Sequence, residues 1–396
     1  MEHHQSLQGL YASLGHQIPA HIIRTNAYPI IKQSWKIIFN SSYGSDNINR
    51  KELKLYQARY TEGEVMAPSI KRQLLNLILF AMFINLCGCS KSTPIPPTET
   101  PHPNQSPTPL TLPVGSGGGI IAFVTDRNRG RMNLYLINAD GSELTQITFS
   151  RYDEIAPSWS PDGTNLAYLV SKHDQLDLVI LDLGSALSDP LTDHSTLIVE
   201  DSVDASPPSW TSDGNMLIYA AYQGENLDLF AINSDGSDKK QLTQTNVSEK
   251  HPALSPDGTK LVFSSDLSGT FDLYLIENFN IPEFHSQPTV QLTFENGDEL
   301  YPTWSPGGDR ILYTSTENGN KDLRIIYTDG GNSVTVSSST ADEWKASWSP
   351  DGNKIVYSYF NFDNDLNDLH VLGLDTTSSV PITVDNFDNW WPAWKL

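Results

Sequence analysis

Carboxylates recur in this chain at a fixed distance from tryptophan. Six positions before Trp159, Trp210, Leu254, Trp304, Trp348 and Trp394 stand Asp153, Asp204, Ser248, Asp298, Asp342 and Asp388. One position later come Glu154, Ala205, Glu249, Glu299, Glu343 and Asn389, and Tyr301, Trp344, Trp390 and Trp391 accompany the last three copies. Two carboxylates roughly 5–10 Å apart with unlike pKa values could cleave a glycosidic bond. A ring of equivalent acids gives no reason for one to differ, so catalysis is the weaker expectation. Asp153, Asp204, Asp298, Asp342 and Asp388 are expected to stand on one rim of the ring as candidate binding residues. The competing expectation is that they cap loop amides, as short acids beside turns do. The Glu series and the aromatics are expected to form a binding surface, because aromatics at a rim are common interface anchors.

Other chemistry is sparse. The histidines past residue 89 are His102, His173, His194, His251, His285 and His370. None forms a His-x-His or His-Glu-x-x-His pair, so no zinc or iron site is expected. Asp363-Asn-Asp365-Leu-Asn367-Asp368 begins like a calcium loop, but it lacks Gly at the sixth place and has Leu374 where a bidentate Glu belongs. It reads as an acidic hairpin. No Gly-x-Ser-x-Gly elbow occurs, and no cofactor motif is present. Two cysteines exclude a disulfide scaffold, a four-cysteine zinc site and a cysteine-ligated iron–sulfur cluster. A net charge of −22 over 396 residues argues against nucleic acid, whose phosphates need a basic surface.

One of those cysteines carries a different chemistry. Lys71-Arg72 precede the apolar run Leu74 to Leu86, which ends in Leu86-Cys87-Gly88-Cys89. Thirteen helical residues reach about 20 Å, short of a bilayer's hydrocarbon core, and fit a signal peptide. The ending resembles the bacterial lipobox Leu-x-Gly-Cys, and the resemblance implies cleavage before Cys89 and diacylglycerol on its sulfur. Residues 66–88 are then the lipoprotein signal and residues 89–115 an anchored stalk. Eight prolines between Ser92 and Pro113 favour an extended polyproline II spacer. Residues 1–65 show no sustained period, and Glu62-Gly63-Glu64 implies purine-rich codons ahead of Met66. Translation is expected to start at Met66.

The elements that must position the acids are repeats. Pro157-Ser-Trp-Ser-Pro-Asp-Gly163 returns as Pro208 to Gly214, Pro252 to Gly258, Pro302 to Gly308 and Ala346 to Gly352, with a truncated Pro392-Ala-Trp394. A period near 45 residues with four short strands per repeat indicates propeller blades. Each Asp-Gly turns a Trp-bearing strand into an apolar second strand, as at Leu166 to Val170. A third strand such as Leu227 to Ile232 and a short fourth such as Gln241-Leu-Thr243 follow. Residues 120–148 supply three strands without a Trp strand, and the C-terminus supplies a Trp strand with nothing after it. Together they complete a blade. The expected fold is an all-β, six-bladed propeller over 116–396, closed by its two ends.

These Pro-x-Trp-Ser-Pro-Asp-Gly, Asp-Leu-Tyr-x-Ile and Gln-Leu-Thr strings resemble the TolB-type β-propeller repeat, a family of envelope proteins and peptidase propellers. The resemblance implies the fold and a non-catalytic docking role for a protein, peptide or glycan. A propeller lyase or glycoside hydrolase using rim carboxylates is the alternative. From Cys89 onward 16 basic face 42 acidic residues, a net of −26, which steers basic ligands and repels anionic lipid. A monomer is expected, held to the extracytoplasmic side of a bacterial membrane by the lipid alone. Cys89→Ser should therefore move the protein from the membrane pellet to uncleaved precursor or soluble species, read by fractionation and intact mass; unchanged fractionation would refute the anchor.

Overall fold

The computed structural model describes residues 110–396 except 174, 191, 201, 202, 280, 282–287, 330, 338, 363 and 377. Cys89, the signal segment, the proline-rich stretch to Pro109, His102, His285 and Asp363 lie outside the described residues. Within them, twenty-four strands, β1 (Ile120–Asn128) to β24 (Asn389–Trp394), form six four-stranded antiparallel sheets. The innermost strands of blades 2 to 6 are β4 (Asp153–Trp159), β8 (Ser209–Trp210), β12 (Glu249–Leu254), β16 (Glu299–Trp304) and β20 (Asp342–Trp348). Blade 1 takes β24 as its innermost strand, pairing Ile121 with Trp394 and Thr125 with Asn389. The six-bladed, end-to-end closed propeller is thus the fold.

The turns explain the repeat string. Ser160 Oγ donates to Asp162 Oδ1 at 2.6 Å, the Thr164 amide donates to the same oxygen at 3.0 Å, and Gly163 takes φ 65°. Thr211 with Asp213, Ser255 with Asp257 and Ser349 with Asp351 repeat the serine-or-threonine bond at 2.6 Å. Blade 5 has Gly307 where the aspartate belongs, and Asp309 replaces it by accepting from Ser305 Oγ at 2.9 Å. The Gln-Leu-Thr ends have an equally local cause. Leu134, Leu229, Leu273 and Leu369 on third strands each donate an amide hydrogen at 2.8 Å to Thr148, Thr243, Thr293 and Thr383. A threonine hydroxyl thus stands in where the short fourth strand runs out of carbonyls.

The tryptophans join blades. Trp159, Trp210, Trp304 and Trp348 donate their indole N–H to the carbonyls of Ala393, Ser158, Ala253 and Thr303, at 2.9–3.2 Å. Each acceptor immediately precedes the Trp position of the preceding blade. Trp394 instead donates to Gly118 at 3.2 Å, binding the C-terminus to the approach of β1. The segment assigned to the end of the stalk also belongs to this body: Leu110 N donates to Leu187 O at 2.8 Å, Val114 N donates to Glu143 Oε2 at 2.7 Å, and Pro113 is buried. One short helix, α1 (Leu183–Ser188), lies between the third and fourth strands of blade 2 and is capped by Asp182, which accepts from Ser185 N.

Trp394 is 2% exposed. Trp394→Ala should cost about 3–5 kcal/mol, from a domain stable by about 5–15 kcal/mol. Deleting residues 390–396 should also open the edge of β1 and bring aggregation. Thermal melting and light scattering check both, and an intact melt of the truncated chain would refute closure.

Candidate functional site

Innermost strands do not run straight into the ring. Three residues before the Trp position, Ala156, His251, Tyr301, Lys345 and Trp391 adopt φ of 52–58°. The ladders to the second strands shift register across these residues in blades 2, 4, 5, 6 and 1. A left-handed residue without glycine costs of order 1 kcal/mol, so five copies mark a shape that the ring imposes. Blade 3 has Pro207 there, whose ring forbids positive φ. Its innermost strand shrinks to Ser209–Trp210, with a lone bridge from Val203 to Ala221.

The bulges bring side chains from different blades together. His251 and Tyr301 rings lie 4.0 Å apart, Tyr301 and Trp391 5.5 Å, and Trp344 and Trp390 5.7 Å. Lys345 ends among them, its Nζ 3.4 Å from the Trp391 ring centre, 3.8 Å from Trp344, 4.8 Å from Trp390 and 5.7 Å from Tyr301. Lysine charge is stabilised by π faces but penalised by burial. Burial, followed by the like charge of Lys321, holds Lys345 well below the usual lysine value. His251 is likewise buried and pushed down, by burial first and then by Lys250 and Lys345. Sequence reasoning missed Lys345 and His251. The signal was their shared offset from the Trp position, which only gains meaning once the bulge is known.

The acids divide by series. Asp153, Asp298, Asp342 and Asp388 accept from the Met132, Phe271, Lys321 and Asn367 amides at 2.9–3.2 Å, and Ser248 accepts from Leu227 at 3.3 Å. Each ties the start of the preceding blade's third strand. Asp204 instead accepts from Ser206 Oγ.

Glu154, Glu249, Glu299 and Glu343 are buried, so they do not stand on the open docking surface assigned to them. Tyr301, Trp344 and Trp390 are half-buried and Trp391 buried, so the aromatics fill the interior of the mouth rather than ring its rim. The one-residue step from Asp to Glu turns the side chain to the other face of its strand, into the blade junction. There Glu154 accepts from Thr148 Oγ1 and Leu134 N. Burial first pushes its carboxyl up to about 8, and burial also pushes up Glu249 to about 7 and Glu299 to about 8, the last helped by Glu295 and Asp272.

The surface of the mouth has another composition. In an antiparallel meander the second-to-third hairpins and the links into the next innermost strand share one end of the ring. Every exposed phenylalanine among the described residues, Phe149, Phe294, Phe362 and Phe387, lies in those connections. Tyr222, Leu267 and Val384 join them; Phe294 is 74% and Val384 81% exposed. The opposite end holds a groove of about 630 Å³ between blades 2 and 3, whose polar lining includes Asp162 and Asp213, already bonded within their turns.

Residues 110–396 match the family model described as the TolB beta propeller domain. The chain belongs to that family. A TolB homologue of Chlorobium luteolum is 30% identical over 160 residues, covering 40% of this chain and 34% of that protein. An uncharacterized peptidase, YuxL of Bacillus subtilis, is 30% identical over 155 residues, or 39% of this chain and 21% of the relative. The crystal structure of TolB from Acinetobacter baumannii superposes with a TM-score of 0.59 at 21% identity, covering 70% of this chain and 66% of that one. The chain thus spans about a third or less of these curated relatives, and the structural likeness is one of fold.

The buried acids give the TolB-type ring a pH dependence. Glu154 holds its proton in the fold up to about pH 8 but loses it near pH 4.5 when unfolded. Its contribution is therefore complete below about pH 4.5 and falls as pH rises towards 8, by at most about 1.4 kcal/mol per pH unit. Glu154→Gln should gain stability relative to the parent as pH is raised from 5 to 8, measured by urea unfolding. A difference independent of pH would mean that Glu154 is already ionised in the folded ring.

Proposed function

We propose that this chain is a TolB-like docking protein of the bacterial envelope, lipid-anchored through Cys89, that takes a protein segment on the mouth end of its propeller. The exposed phenylalanines gathered at that end carry the proposal. Large exposed apolar side chains gathered on one face of a soluble domain commonly mark an interaction surface. A net charge of −26 past Cys89 favours a partner whose apolar contacts are flanked by lysine or arginine. The stalk would act as a spacer between the lipid and the ring, to which Leu110 and Val114 are bonded.

The acids speak against the hydrolase alternative. The Asp series is spent on backbone amides or, at Asp204, on the Ser206 hydroxyl, and the Glu series is buried in blade junctions. Neither leaves a carboxylate pair facing an open cleft, which glycoside cleavage needs.

Crosslinking in intact cells followed by mass spectrometry tests the docking face. The parent protein should capture a defined partner. Phe294→Asp with Phe362→Asp should fold normally, since both side chains are solvent-exposed, yet lose at least about tenfold of the capture, the loss expected when interface anchors worth over 1.4 kcal/mol are removed. Undiminished capture by the double variant would place the partner elsewhere.

A further inference from the structure

The junction between blades 4 and 5 departs from its counterparts. Four positions before Glu154, Glu249 and Glu343 stand Ser150, Thr245 and Ser339, each a hydroxyl residue. Thr245 Oγ1 donates to Glu249 Oε1 at 2.6 Å. Before Glu299 the same position is Glu295, which when ionised can only accept. Some junctions thin out their acids: Asn133 hydrogen-bonds Glu154 where blade 4 has Asp272, Ala205 replaces a glutamate, and Asn389 replaces another. Between blades 4 and 5 a third acid is added instead.

Asp272, Glu295 and Glu299 each bring one oxygen within 4.8 Å of the others, the one such trio of acids among the described residues. Glu299 is 0% exposed; Ser315 Oγ donates to its Oε1 at 3.2 Å, while Oε2, equally buried, has no hydrogen-bond partner. Asp272 is held in place by Ser268 Oγ, by Gln291 Nε2 at 3.1 Å and by Thr293 Oγ1 at 3.3 Å. Glu295 accepts from Ser333 Oγ at 2.9 Å and from Arg324 Nη1 at 3.3 Å. Arg324 also pairs with Glu317 at 2.6 Å, so its guanidinium is shared between two carboxylates. Glu249 and Glu343 also bury an unpartnered Oε2, but only here among the described residues do two further acids converge on it, and Arg324 reaches Glu295 alone of the three.

We propose that Asp272, Glu295 and Glu299 bind a calcium ion between blades 4 and 5. The donors are all oxygen, which selects a hard cation and disfavours zinc or copper. Calcium–oxygen distances of about 2.3–2.6 Å span donors up to about 5 Å apart, whereas magnesium needs a tighter octahedron. Ser315 Oγ is positioned as a further neutral ligand, and water completes the shell. The ion ties the third strand of blade 4, through Asp272, to the innermost strand of blade 5, through Glu299. This is the same pair of elements that Asp298 joins by accepting from Phe271 N.

The test is thermal melting and calorimetric titration of the full chain, purified in detergent and stripped with chelator. Calcium chloride alone should raise the melting temperature saturably by several degrees and bind one ion per chain. Glu295→Thr installs the residue found at the neighbouring junction, so it should fold and melt cooperatively in chelator, but lose the calcium shift. Glu299→Gln should lose the shift as well, while Glu249→Gln, at the hydroxyl-bearing junction, should keep it. No calcium shift in the parent protein, a shift that survives Glu295→Thr, or an equal shift with magnesium at the same concentration would overturn the assignment.

Discussion

This ring depends on each innermost strand being bonded to the one before it. At four of the six junctions an indole N–H donated to a carbonyl of the preceding blade does this; at the other two the Leu254 and Trp394 amides donate to the Ser209 and Ser347 hydroxyls. A four-stranded sheet has two faces, and a blade can bury both only by packing between two others. Burial would strand the indole hydrogen, at a cost of about 1–3 kcal/mol, unless an acceptor is waiting. Where a Trp is present in blades 2, 3, 5 and 6, the innermost strand of the neighbour supplies one at a constant offset: Ala393 to Trp159, Ser158 to Trp210, Ala253 to Trp304 and Thr303 to Trp348. Closure then follows from geometry: the sixth rotation brings β24 beside β1, and residues 389–394 complete blade 1.

Crowding at the axis explains the second recurring feature. Six innermost strands converge, and a bulge with a left-handed residue lets five of them bend as they enter. The price in backbone strain is met by packing, because the bulged side chains touch one another across blades. Small Ala156 and large Tyr301, Lys345 and Trp391 occupy equivalent positions, so the interior of the mouth is asymmetric although the backbone repeats. A lysine enclosed by four aromatic rings is the chemical mark of that asymmetry.

The blade junctions vary the same theme with acids. Four of the five Asp residues of the first series accept from a backbone amide and Asp204 from the Ser206 hydroxyl, so each holds local structure. The glutamate beside it sits in a low-dielectric seam, where its charged form is disfavoured and a proton, a hydroxyl donor or a cation must compensate. Thr148 and Thr245 show hydroxyl compensation at Glu154 and Glu249. The proposed docking face and calcium site accordingly lie on what is not repeated, the phenylalanine-bearing connections outside and the third acid at Glu295.

The sequence by itself determined the blade, the number of blades and their closure. All three follow from local chemistry repeated at one period: a serine–aspartate turn, positive φ at glycine, and a Trp strand missing at one end and surplus at the other. It offered two readings of the Asp series, binding rim or amide caps, and Asp153, Asp298, Asp342 and Asp388 take the second, since short acids beside turns find backbone donors. What only the tertiary structure decided is which side chains face the solvent. A left-handed bulge three residues before the tryptophan is invisible to alternation, and it sends Tyr301, Lys345 and Trp391 inward. Burial of Glu154, Glu249, Glu299 and Glu343 depends on the neighbouring blade, some 20 residues back in the chain, where Leu134 and Thr148 meet Glu154. Periodicity reports the orientation of a strand relative to its own sheet. Whether a face meets water or another blade is set by the rotation between sheets, which no single repeat encodes.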